Sequence, residues 1–169
     1  MLPVLMTMAG KVEKSYSFQS VSIRQTDGYH SILMPNTLQA GMTGEPSLPY
    51  QSVALLLPPG EKAVSIEIRG EQLTEIQGEL NLYPYQYSSP LSKGPDGKFV
   101  KKEQIYRQQA VYPANLSGKL TTQFLHGHAF ALSTFTPVVY HPAMKKAAYY
   151  KKISVVIHTS PDPEASAAL

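Results

Sequence analysis

Two histidines one residue apart, His126 and His128, are the first residues whose types and spacing could do chemistry. On an extended strand such positions face the same side, so the two imidazoles could share a metal ion. No third ligand stands nearby, and Gly127 between them marks a bend. The pair therefore reads as surface imidazoles flanking a strand bend, with no metal and no other cofactor assigned. Glu61, Glu67, Glu71, Glu75 and Glu79 are spread along strands and turns as solvated carboxylates, not as an acid–base pair. Nucleophilic catalysis lacks its parts. The chain contains no cysteine, which excludes a thiolate nucleophile, a thiolate metal site and disulfides within it. No G-x-S-x-G elbow positions a serine, and no glycine-rich loop is built to cradle phosphate. No catalytic residue is assigned.

Binding is the better prospect. Residues 88–107 carry Lys93, Lys98, Lys101, Lys102 and Arg107 with few apolar anchors. Long loops in compact domains tend to be functional, and this one presents several cations in succession. The net charge is only +3, from 15 basic and 12 acidic residues. No basic block forms the footprint that nucleic acid requires. Tyr83, Tyr85 and Tyr87 alternate onto one face of an extended segment, where they pack against the core or form a platform for a sugar or a partner.

The elements that must position these residues are strands. At 169 residues the chain makes about one domain. Charged residues are 16% of it, below the usual ~25%, which argues against a coiled coil or a disordered chain. Fourteen prolines leave little room for long helices. No apolar run approaches the roughly 20 residues of a membrane helix. Apolar residues recur with period two, as in Val64, Ile66 and Ile68, or Ile153, Val155 and Ile157. The pattern predicts strands at 16–23, 29–34, 52–57, 63–69, 80–87, 104–112, 120–126, 128–140 and 147–158. It predicts that these six residues, with Phe130 and Leu132, face the core. Thr26-Asp27-Gly28 predicts a hairpin turn, and His141 to Lys146 a short loop joining the last two strands. Many short strands with Pro/Gly turns make an all-β fold: an antiparallel β-sandwich or barrel-like sandwich with little helix. Residues 1–14 form an N-terminal segment that reads as a signal-peptide remnant or an edge strand. Residues 15–159 form the domain, and 160–169 have linker composition.

The run Gly44-Glu45-Pro46-Ser47-Leu48-Pro49, an apolar strand, and then Pro58-Pro59-Gly60 resembles the start of the gingipain-type propeptide. This is the pro-domain that precedes family C25 cysteine peptidases. Pro137-Val138-Val139-Tyr140-His141-Pro142, a lysine-bearing turn and the strand to Ile157 are similar to that family's closing hairpin, with His141 where asparagine is usual. The resemblance covers about residues 40–158. It implies a β-sandwich pro-domain of an exported bacterial zymogen, secreted, periplasmic or at the cell surface. Such a domain assists folding, covers the peptidase active site and is removed by proteolysis. Its partner would be the catalytic domain of a C25 peptidase, normally in the same precursor. The resemblance assigns Gly44, Pro46, Leu48, Pro49, Pro137, Tyr140 and Pro142 to structural roles. By position it makes Lys93, Lys98, Lys101, Lys102 and Arg107 the candidates for an inhibitory contact. The alternative is a free-standing adhesion or carbohydrate-binding sandwich using the tyrosine face.

Overall fold

The structure, a computed structural model, describes residues 10–87 and 98–164. Lys93 lies outside the described residues. Ten strands and one short helix occur among them: β1 (Gly10–Ser17), β2 (Ser22–Thr26), β3 (Tyr29–Leu33), β4 (Leu38–Ala40), β5 (Leu48–Leu56), β6 (Glu61–Ile76), α1 (Glu103–Tyr106), β7 (Thr121–Leu125), β8 (His128–Phe135), β9 (Val138–His141) and β10 (Lys146–Pro161). The fold is all-β and built from antiparallel sheets, as the period-two pattern predicts.

One sheet runs β1-β10-β6. Since β6 takes one edge of β10, β1 and β9 share the other, at Ser17 to Gly10 and at Val138 to His141. A second sheet runs β4-β5-β8-β7, and β2-β3 form a separate hairpin. The inner faces of the two large sheets meet in one core. Ile153, Val155 and Ile157 from β10 meet Val53 and Leu55 from β5 and Phe135 from β8. Tyr16 and Phe18 pack edge-on against the Phe135 ring at 5.0 and 6.0 Å. Each fully buried aliphatic side chain in this layer contributes about 1.5–3 kcal/mol of transfer free energy.

The turn at Asp27-Gly28 holds both residues at positive φ, 53° and 80°, the two-residue hairpin geometry whose twist matches the strands. His126 and Gly127, at 50° and 78°, repeat it between β7 and β8. The His141–Lys146 connection is a single 3-10 turn closed by Lys145 at φ 53°.

Several expectations are corrected. The predicted strand 16–23 is interrupted: β1 ends at Ser17 and β2 starts at Ser22. Residues 128–140 form two strands, not one. The chain leaves the second sheet after Phe135, passes buried Thr136 and Pro137, and joins the first sheet as β9. Residues 80–87 form no continuous strand. They make isolated bridges, Leu82 to His30 and Pro84 to Pro46, because Pro84 has no N–H to continue a ladder. Residues 103–106 are helical where a strand is predicted over 104–112. Residues 10–14, which composition places in the N-terminal segment, are the first part of β1, and β10 runs on to Pro161.

Two facing assignments also change. Val64 is exposed. The register between β6 and β10 shifts at His158/Thr159, so that Ser65 opposes His158 while Ala63 opposes Thr159. Val64 is the extra residue of this bulge, and the alternation that buries Ile66 and Ile68 is lost there. On β8 the parity is reversed. Ala129, Ala131 and Ser133 are buried, while Phe130 and Leu132 lie on the outer face. Their partners on β5, Leu55 against Ala131 and Val53 against Ser133, already fill the layer. Small residues beside large ones let the sheets interdigitate.

Candidate functional site

The basic residues lie on one stretch of chain that is pinned at several points. The Gln86 side chain acts as a strand edge for Val100: its Nε2 donates to the Val100 carbonyl at 2.7 Å, and its Oε1 accepts from the Val100 N–H at 3.0 Å. Two residues on, the Lys102 N–H donates to the Gly44 carbonyl at 2.8 Å. Gly44 sits at φ +86°, and a Cβ there would stand 2.9 Å from Val100 Cγ1. Both the backbone conformation and the close approach require glycine.

The 44–49 loop is itself tied to residues 80–87. The Gly44 N–H donates to Tyr85 O, the Tyr85 N–H to Glu45 O, and the Ser47 N–H to Tyr83 O, at 2.8–2.9 Å. Gly44, Pro46, Leu48 and Pro49 are buried. Among the other motif residues, Tyr140 is fully buried and its hydroxyl donates to Leu80 O at 2.7 Å. Pro137 O accepts from the Tyr150 N–H at 2.9 Å. Pro142 opens the 3-10 turn.

Glu45 is the charged hub. Its carboxylate accepts from Lys102 Nζ at 3.0 Å and from the Tyr112 hydroxyl at 3.0 Å. Both are charge-assisted, the stronger class of hydrogen bond. Burial first, and then the Glu45 charge, push the Tyr112 hydroxyl well above the ordinary tyrosine value; Tyr50 is raised for the same reasons. Beside this hub lies a shallow cleft of about 590 Å³ lined in part by Met42, Tyr50, Ile105, Val111 and Pro113.

The described cations differ sharply in freedom. Lys102 is committed to Glu45. Lys101, with its side chain 22% exposed, lies 3.5 Å from Glu103 and 4.6 Å from the Tyr106 ring centre. The α1 helix that follows is held by the Tyr106 hydroxyl, which donates to Leu82 O at 2.7 Å. Burial raises that hydroxyl's pKa strongly. Arg107, just past α1, has its side chain 81% exposed and 3.9 Å from Glu103. Lys98 is exposed. This arrangement has no nucleophile–base pair; it presents cations from a braced segment.

His126 occupies the β7–β8 turn and His128 starts β8, so they do not stand together on one strand. No group of three metal-ligating side chains occurs among the described residues. The tyrosines do not form an open platform. Tyr83 packs edge-on against Tyr29 at 5.7 Å and Phe99 at 6.0 Å, and only Tyr87 is largely exposed. Sequence reasoning missed Glu45 as a hub and Gln86 as a clamp. Both are polar residues whose partners come from distant positions, and no local pattern signals them.

The Propeptide_C25 family matches residues 11–168. The chain belongs to that family. Its fold is shared with two solved structures from Porphyromonas gingivalis. One is a complex of RgpB pro- and mature domains, with TM-score 0.69, 16% identity, and 90% of this chain and 80% of that one covered. The other is a structure on the zymogenic latency of gingipain K, with TM-score 0.68, 21% identity and 95% of both chains covered. No curated protein matches the chain. As a C25 propeptide it is a non-catalytic domain, and with no cysteine it cannot itself supply a cysteine nucleophile. No helix among the described residues is long and apolar enough to cross a membrane.

Proposed function

We propose that this domain keeps a C25 cysteine peptidase of an exported bacterial precursor latent, by docking on the catalytic domain and placing one basic side chain in its cleft. The observation that carries this reading is the family match over residues 11–168. The same docking stabilises the folded peptidase by mass action, which is the physical content of folding assistance. A preorganised domain presents the inhibitory side chain with little ordering cost. The braced segment supports this role, and its exposed cations, Lys98 and Arg107, are better suited to enter a pocket than Lys101 or Lys102, which are held closer to the fold. Lys93 remains in the series as a residue outside the described ones.

The test is an alanine series at Lys93, Lys98, Lys101, Lys102 and Arg107, read as inhibition constants against the mature peptidase at two salt concentrations. One substitution is expected to cost about 2 kcal/mol or more, the hot-spot range. The others should act mainly through salt-dependent association rate. Five equally small effects would rule out a single anchor.

A further inference from the structure

The chain from Lys102 to Tyr112 leaves the 44–49 loop and comes back to it, and one side chain meets both ends. Glu45 Oε1 accepts from Lys102 Nζ and Glu45 Oε2 accepts from the Tyr112 hydroxyl, each at 3.0 Å. The carboxylate stands on a fixed backbone. The Glu45 N–H donates to Met42 O at 2.9 Å, its carbonyl accepts from the Tyr85 N–H at 2.8 Å, and its side chain is only 16% exposed. Backbone bonds repeat the closure. The Lys102 N–H donates to Gly44 O, and Tyr112 and Tyr140 exchange N–H to O bonds in both directions, all at 2.8 Å. Between these ends the chain is open to solvent. Arg107, Gln109, Ala110 and Val111 are exposed, and α1 is a single turn anchored through Tyr106. An exposed loop tip that carries an arginine is ordinarily a site where a peptidase specific for basic residues cuts.

We infer that the Glu45 carboxylate is a latch that keeps the 102–112 loop uncut: by joining both ends it denies the bond after Arg107 the opened chain that a peptidase needs. This rests on the function proposed above, and it supplies what latency requires, a basic segment that is bound and not turned over. Cleavage of a folded chain follows the population in which the site has opened. Opening this loop parts its two ends, so every bond that joins them lowers that population. The two side-chain bonds share one anion and are lost together when it is removed. Both are charge-assisted, so each holds more firmly than a neutral bond in the same place. The exposed stretch from Arg107 to Val111 has no apolar anchor of comparable depth, which leaves the closure at its base to decide whether it opens.

The experiment exposes the folded full chain to trypsin, which cuts after lysine and arginine. Each cut is located by mass spectrometry, with melting temperature as the fold control. The cut after Arg107 should be slow in the unaltered chain and about tenfold or more faster in Glu45→Ala. Glu45→Gln should fall between them, because its amide can accept from Lys102 and donate to Tyr112 but carries no charge. Tyr112→Phe, which breaks one end only, should also fall between, and it carries the same test where Glu45→Ala lowers the melting temperature. Glu75→Gln removes an exposed carboxylate elsewhere and should match the unaltered chain. An unaltered chain cut after Arg107 as fast as Glu45→Ala overturns the latch. So does acceleration in Glu45→Ala at lysines and arginines throughout the chain, which would make Glu45 a support of the whole fold. Inhibition of the mature peptidase by the unaltered chain is measured alongside. A chain that resists the cut but does not inhibit overturns the function proposed above and leaves the latch standing. A chain that inhibits while it is cut rapidly after Arg107 does the reverse.

Discussion

The two large sheets share a core but present opposite outer faces. On the β1-β10-β6 sheet, the outward rows are Lys11–His158–Ser65, Glu13–Val156–Glu67, Ser15–Ser154–Arg69 and Ser17–Lys152–Glu71. Charges of both signs flank the middle strand, and Arg69 bonds Glu67 at 2.9 Å. The one apolar residue in these rows, Val156, is fully buried beneath its neighbours. On the β4-β5-β8-β7 sheet, the open rows hold no charge and their leucines are in solvent. Long charged side chains seal apolar surface with their stems while keeping their heads wet. The first face is thereby sealed by its own side chains, whereas the second leaves Leu56 and Leu125 in solvent.

The largest effect tests whether the two faces share one core. Phe135→Ala should cost about 3–5 kcal/mol, because the ring is fully buried between the sheets against Tyr16 and Phe18. Denaturant unfolding should remain a single transition. Two separate transitions would show that the faces belong to independent units.

Next is a mirrored pair. Val156→Ala should cost about 1–3 kcal/mol, as removal of buried methyl groups does, while Leu56→Ala should stay within about 0.5 kcal/mol as an exposed substitution. Equal costs measured by denaturant unfolding would break the contrast between a sealed and an open face.

In the loop that leads into β5, Gly44→Ala should lower stability by about 1–3 kcal/mol, the range for a side chain held in a strained backbone region. Thermal unfolding checks it. A neutral result would mean that the 98–102 segment yields freely around Gly44.

The pH response sharpens the same division. Tyr106 and Tyr112 have folded pKa values raised above 10.0 by burial. In the unfolded chain they lose their protons near pH 10. Above that pH the native state binds more protons than the unfolded state, so stability falls as pH rises. Below it, the contribution is fully present. Hydrogen exchange should show 103–115 losing protection from about pH 10 upward, before β10 does, with Tyr112→Phe flattening the response.

The smallest effect belongs to the charged face. Glu13→Gln should leave the melting temperature unchanged, because exposed charges contribute little.

Much of this molecule follows from local chemistry. The period-two run makes Ile153, Val155 and Ile157 core residues, because a strand with one buried face alternates regardless of what lies opposite. Asp27-Gly28 makes a hairpin because both residues tolerate positive φ. The order of the G-E-P-S-L-P run and the closing hairpin was enough for the family, which the match over 11–168 supports. What depends on distant partners was not legible. Nothing near Glu45 foretells Lys102 and Tyr112, and nothing near Gln86 foretells Val100. Within β8, Phe130 and Leu132 read as core because bulky residues usually point inward. Only β5, lying alongside with Leu55 and Val53 already filling the layer, decides that the small residues go inside. Periodicity sets which residues share a face. Which face is inside is set by the volume left between two sheets, and that volume exists only once they have packed.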